Sequence, residues 1–293
     1  MNDVNLIMFT IKNNKLSVII NEKGAELQSI QCNGLEYLWQ ADSKFWAKHS
    51  PVLFPIVGEL KNGFYVFNNK EYKLPRHGFA RDKIFTPEQT SADSVVFTLR
   101  SEADTLLVYP FEFIFQVAYS VRENELICTY HVQNANGTAM YFSVGGHPAF
   151  NVPLNKNLSY GDYFLEFDND DILNRYLLKD GLISDTIEKI PLKNKTLDLA
   201  PGLFYKDAIV LKHINSNTIT LKSNKDSHGL EFRFHDFPYF GIWAAKDAPF
   251  VCLEPWCGIA DNIHHDNNIM KKEGINELKP GEKWSRSWSI VVF

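Results

Sequence analysis

The chain has 293 residues, 45% hydrophobic and 22% charged, the proportions of a globular protein, which exclude a fibre or a disordered chain. Thirty Lys and Arg against 35 Asp and Glu give a net charge of −5, and no basic run or stripe marks a nucleic-acid partner. No apolar run approaches the ~18 residues of a membrane span, so no membrane partner is expected.

In chain order, the start MNDVNLIMFT lacks the basic-then-apolar pattern of a secretion leader. Period-two alternation and β-rich composition then predict strands at 15–20, 24–32, 94–100, 111–121, 125–134, 163–167, 208–213, 218–223, 230–235, 239–245, 249–256 and 284–293. Turn signals such as NEKG, VRENE, QNANG, NSNT and KPGE separate them. Short one-turn helices are expected around 42–47 and 262–271, and no longer helical pattern is present. There is no fixed-period repeat, no linker and no break in composition, so residues 1–293 are expected to form a single domain, all-β, as one large antiparallel β-sandwich. In the stretch 125–134, Leu126, Cys128, Tyr130 and Val132 share one face. His131 falls on the other, as a surface or cleft-edge residue.

Cys32, Cys128, Cys252 and Cys257 match no zinc signature. Reduced thiols in a cytoplasmic protein are expected from that usage. His264 and His265 resemble metal ligands only superficially, because adjacent side chains on an extended chain point apart.

Three punctuated segments carry the ionisable residues. In LPRHGFARD (74–82), His77 precedes a glycine and lies between Arg76 and Arg81. In SVGGHPAFN (143–151), His147 follows Gly145 and Gly146 and precedes Pro148. Glycine admits backbone angles that other residues resist, and proline stiffens the turn. In CLEPWCGIADN (252–262), Glu254 follows an apolar run and precedes Pro255 and Trp256. A carboxyl held in such dry surroundings has a raised pKa and suits proton transfer near neutrality; the alternative is a salt bridge at a strand end. Trp39, Trp46, Phe79, Phe150, Trp243 and Trp256 sit beside polar punctuation, either as stacking surfaces for a sugar or as core. No G-x-S-x-G, P-loop or dinucleotide fingerprint is present, leaving acid–base chemistry on a polar small molecule.

HGFARD, GGHPAFN and the LEPW segment, in this order, resemble the aldose 1-epimerase (galactose mutarotase-like) superfamily. The resemblance is to the branch holding the lactose-operon X protein, near the glucose-6-phosphate 1-epimerases. It extends through YLWQADSKFWAKHSPVLFPIVGEL and LKPGEKWSRSW, nearly the whole chain. It implies a β-supersandwich and interconversion of the α and β anomers of a free aldohexose, with no metal or other cofactor. By motif, His147 matches the general acid at the ring oxygen and Glu254 the base at the anomeric hydroxyl. His77 matches the histidine that polarises the sugar, and Asp207 an aspartate that binds its hydroxyls. Arg81 resembles an arginine of the hexose-phosphate branch, with Arg76 as a helper, and Trp256 is the stacking ring. Glu59 stands where many relatives have a sugar-binding arginine. The alternatives are a hexose-6-phosphate 1-epimerase, a non-catalytic sugar-binding protein and a polysaccharide-cleaving enzyme on a similar sandwich. A monomer or homodimer is expected.

Overall fold

Strand Glu125–Asn134 shows how the sequence builds this fold: its residues alternate in burial, with Leu126, Cys128, Tyr130 and Val132 inside and His131 exposed. Every stretch predicted as extended contains a strand in the computed structural model, which describes residues 6–293. The reading of the N-terminal stretch as leaderless falls partly on residues 1–5, outside the described residues.

Two large antiparallel sheets dominate. The first has nine strands in the order Thr196–Asp198, Tyr163–Phe167, Thr218–Ser223, Asp226–Arg233, Lys283–Val292, Glu125–Asn134, Phe113–Arg122, Ser94–Arg100 and Thr86–Ser91. The second orders Leu182–Pro191, Ile172–Lys179, Ile209–Lys212, Tyr239–Trp243, Phe250–Cys257, Val144–Gly146 and Val52–Leu53, with Ala149–Asn151 also paired to Phe250–Cys257. Aromatic side chains join the two sheets. Phe234 and Phe240 have ring centroids 4.2 Å apart, Phe232 meets Phe240 at 5.9 Å, and Phe54 stacks on Phe115 at 4.4 Å. Burying each such ring contributes roughly 1.5–3 kcal/mol, so this seam is the sandwich core. A four-stranded sheet from Met8 to Glu36 closes one edge, where Phe9 packs on Phe97 and the Tyr119 hydroxyl donates to the Ala25 carbonyl.

Of the two helix expectations, the one at 42–47 needs correction. Residues 42–47 form a turn, in which the Asp42 carbonyl accepts from the amides of Phe45 and Trp46 and its carboxylate accepts from Lys44. Local side-chain bonds of this kind compete with helix. Residues 262–271 do hold the expected short helix, a single 3₁₀ turn at Ile269–Lys271 capped by Asn268. Among the described residues the α-helix is elsewhere, at Ala103–Val108, where the Thr105 hydroxyl accepts from the Glu102 amide.

Ile172–Lys179 and Leu182–Pro191 form a hairpin that the strand predictions omitted. Its turn is Asp180-Gly181, both with positive φ (53° and 78°), the backbone that a two-residue hairpin with Asp-Gly adopts. All eight residues of Phe250–Cys257 are buried, as befits a strand paired on both edges and covered on both faces. No helix among the described residues is long and apolar enough to cross a membrane, and all four cysteines are free and buried.

Candidate active site

Glu254 and Trp256 share one face of Phe250–Cys257, because residues two apart in a strand point the same way. Val144–Gly146 pairs beside them, with Gly145 opposite Trp256. A Cβ on Gly145 would come within 2.7 Å of the Trp256 ring, and one on Gly146 within 2.7 Å of the Tyr130 hydroxyl. The two glycines lie in an extended strand, without positive φ, so close approach of these rings is their reason, rather than unusual backbone angles. The His147 amide donates to Pro51 and the Pro148 carbonyl accepts from Leu253 (both 3.1 Å), pinning the imidazole between its neighbours.

His147 Nε2 lies 3.2 Å from Glu254 Oε2, with side-chain exposures of 12% and 2%. Trp46 stacks on the His147 ring at 5.0 Å, and Trp243 meets it edge-on at 5.7 Å. Burial pushes His147 down to about 3. Burial likewise raises the Glu254 carboxyl well above its usual range, partly countered by the positive charge of Arg76. Both directions favour the uncharged pair, a neutral imidazole facing a protonated carboxyl. The His147 Nδ1 and Trp256 Nε1 atoms are buried without a hydrogen-bond partner in the protein. Polar atoms left so carry a cost of about 1–3 kcal/mol each, one reason to expect a polar ligand here.

His77 is held differently. It has φ +68°; its amide donates to the Gly58 carbonyl at 2.9 Å, and the Gly58 amide donates back to its Nδ1 at 3.1 Å. A ring whose Nδ1 accepts carries its proton on Nε2 when neutral. Burial, together with the charges of Arg76 and Arg81 and that of His147 when protonated, lowers its pKa well below 6.5. His77 is therefore a fixed neutral donor, with its ring 5.9 Å from that of His147.

His147, Glu254, His77, Asp207, Arg81, Arg76 and Trp256 all line one cavity of about 700 Å³, a size typical of small-molecule sites. The structure thus brings every sequence-predicted site residue together. Asp207 enters from a turn with φ 90°, and its carboxylate accepts from the Ala208 amide at 2.7 Å. Arg81 donates to the Arg76 carbonyl at 2.9 Å. Of the six punctuated aromatics, Trp46, Trp243 and Trp256 face the cavity, whereas Trp39, Phe79 and Phe150 are core. Glu59 does not line the cavity; its side chain lies behind Gly181, which does. The side chain at position 59 is therefore set back from the cavity lining. His264 pairs with Asp185 at 2.8 Å while His265 faces Asp261 at 3.7 Å, so the two rings do turn apart.

Other contributors escaped the sequence reading. Leu178, Gly181 and Ile183 come from the unpredicted hairpin, for which the KDG signal was present. Tyr205 and Lys206 precede Asp207 on the rim. Arg175, buried in the same hairpin, donates to the carbonyls of Asp207 (2.6 Å) and Ala208 (3.3 Å) and pairs with Glu188 at 3.5 Å. It holds the strained Asp207 turn, and no local pattern marks it.

The family model described as aldose 1-epimerase matches residues 8–290. Protein LacX of Lactococcus lactis subsp. lactis, in its plasmid form, is 35% identical over 295 aligned positions, covering 96% of this chain and 98% of its own. Among solved structures, a galactose mutarotase related enzyme from Lactobacillus acidophilus superposes with TM-score 0.94 at 35% identity, covering 98% of this chain and 97% of that one. A galactose mutarotase-like protein from Lactobacillus casei gives TM-score 0.92 at 32% identity, covering 98% of this chain and all (100%) of the other.

Proposed function

The chain belongs to the aldose 1-epimerase family, and we propose that it interconverts the α and β anomers of an unphosphorylated aldohexose through His147 and Glu254. The observation that carries this reading is the 3.2 Å approach of their Nε2 and Oε2 atoms at the wall of a sugar-sized cavity.

The sugar ring opens when a base takes the anomeric hydroxyl proton as an acid protonates the ring oxygen. The C1–O5 bond breaks, its electron pair leaves with O5, and C1 becomes an aldehyde carbon. Rotation about C1–C2 and closure on the other face reverse the proton transfers. In this scheme His147 is the acid at O5 and Glu254 the base at O1. Burial favours the pair with its proton on the carboxyl, so the proton crosses to His147 before ring opening. A polar sugar against the pair supplies the hydrogen bonds that the charged form needs. His77 donates from Nε2 to a sugar oxygen, Asp207 accepts from a hydroxyl, and Trp256 packs on the C–H face. Positioned proton transfer of this kind typically contributes about 10²–10⁴ in rate.

Polarimetry on freshly dissolved α-glucose and α-galactose tests the reading, with exchange expected in the parent and lost in His147→Ala and Glu254→Gln. Equal rates in parent and variants would sink it. A second reading, a hexose 6-phosphate substrate, is favoured by the three cationic side chains Arg76, Arg81 and Lys206 on the same cavity. Faster exchange of the 6-phosphate than of the free sugar would select it.

A further inference from the structure

The same strand that carries Glu254 places a third metal-binding atom beside the acid–base pair. Cys252 lies two residues earlier on Phe250–Cys257, on the same face. Its Sγ, a Glu254 carboxylate oxygen and a His147 ring nitrogen all lie within 4.8 Å of one another. Among the described residues this is the one trio of His, Cys or acidic side chains so arranged. Around a tetrahedral zinc ion, ligand bonds of ~2.0–2.3 Å put donor atoms roughly 3.3–3.7 Å apart. The His147–Glu254 pair, at 3.2 Å, already spans one such edge, and the thiol has to close by about an ångström. One imidazole, one carboxylate and one thiolate form a donor set for borderline-soft ions, and exclude magnesium and calcium as preferred guests.

We propose that a Zn²⁺ or Cd²⁺ ion entering through the cavity is captured by His147, Glu254 and Cys252, and that it shuts the site by occupying the catalytic pair. Binding releases the thiol proton and the carboxyl proton, and no bond within the protein breaks. The surroundings make this an inhibitory site rather than a resident one. Arg76 and Arg81 line the same cavity and repel cations, and the stacked Trp46 ring covers His147. His147 Nδ1 also lacks a protein partner, whereas a histidine that permanently ligates a metal has its other nitrogen tied to a carboxylate or carbonyl. The buried thiol itself contributes nothing to the anomer exchange proposed above.

The blocking of exchange rests on the proposed function, but the binding does not. Titration with CdCl₂ in thiol-free buffer, followed by ultraviolet absorption, is expected to show a sulfur-to-cadmium charge-transfer band saturating at one ion per chain. The band should vanish in Cys252→Ser and Cys252→Ala, and His147→Ala should weaken Cd²⁺ at least tenfold. Zn²⁺ should inhibit the parent in competition with sugar, and inhibit Cys252→Ser at least tenfold less, with its metal-free rate kept. Absence of the band in the parent, or its persistence in the cysteine variants, overturns the site; the parent measurement needs no variant to fold. Cadmium binding without anomer exchange would sink the epimerase reading and leave the metal site standing. Exchange that Zn²⁺ leaves untouched would overturn the blocking and leave the epimerase reading standing.

Discussion

Glu254 and Asp261 are both buried, close in sequence, and near a histidine, yet their surroundings are opposite. Asp261 accepts from the Lys272 ammonium at 2.7 Å and from the Lys61 amide at 2.9 Å, with His265 at 3.7 Å. It and Lys272 are each 1% exposed. For Glu254, the ion-pair partner among the described residues is His147, which burial keeps uncharged at neutral pH, and the charge of Arg76 only partly offsets its burial. A buried carboxylate paired with an ammonium is a fastening. An uncompensated one retains a proton that it can exchange, which is what acid–base chemistry requires. Burial therefore does not distinguish the two clusters; the neighbouring charges do.

The comparison breaks most sharply at Glu254. Glu254→Gln should lower the anomer-exchange rate by about 10²–10⁴ while the thermal midpoint stays level or rises. A rate unchanged in that variant would erase the distinction. At the other cluster, Lys272→Met should cost about 3–5 kcal/mol of stability by leaving the Asp261 carboxylate unpaired. Denaturant titration measures that loss, and the rate per folded molecule should be preserved.

Dependence on pH follows from the shifts of Glu254 and His147. Above about 4.5 the unfolded chain releases the Glu254 proton while the folded chain, with its raised pKa, retains it. Stability owed to this group therefore falls as pH rises. Gln does not titrate, so the midpoint advantage of Glu254→Gln should be larger at pH 8 than at pH 5. His147 acts on the other side. Between 6.5 and about 3 the unfolded chain binds a proton that the folded one refuses, so its contribution falls as pH drops through that window. For the same reason, kcat/KM should show no inflection near the pKa of about 6.5 of a free imidazole; one centred there would show that burial does not control the pair.

Smaller effects sharpen the picture at the cavity wall. Arg175→Lys removes the forked contact to the Asp207 turn, and should raise KM by about tenfold with a lesser change in kcat, as expected when a positioning group is lost. A drop in kcat alone would deny that role. Gly181→Ala forces a side chain onto φ 78°. It should cost about 1 kcal/mol and leave the rate nearly unaltered, because the strain sits in the turn.

The sandwich was legible because burial in a strand repeats every two residues, and 125–134 or 218–223 display that alternation without any partner. The hairpin at 172–191 was missed although KDG announces its turn, since its exposed and half-buried residues blur the alternation. The turn at 42–47 looked helical because a single Asp can organise one turn without a helix following. His147, Glu254 and His77 were marked by their unusual glycine and proline neighbours. Arg175 carries no such mark, because its contacts to Asp207 and Ala208 lie more than thirty residues away in the chain.

By itself the sequence determined the all-β class, many of the strand positions and the residues with chemical capacity, because periodicity and side-chain type are local properties. Only the tertiary structure decided that Glu254 faces a neutral imidazole while Asp261 faces an ammonium. It also decided that Glu59 stands behind Gly181, and that the Cys252 sulfur lies within 4.8 Å of the His147 and Glu254 ligand atoms. Charge compensation and proton affinity depend on what distant segments bring within a few ångströms, and that proximity exists only once the sheets have packed.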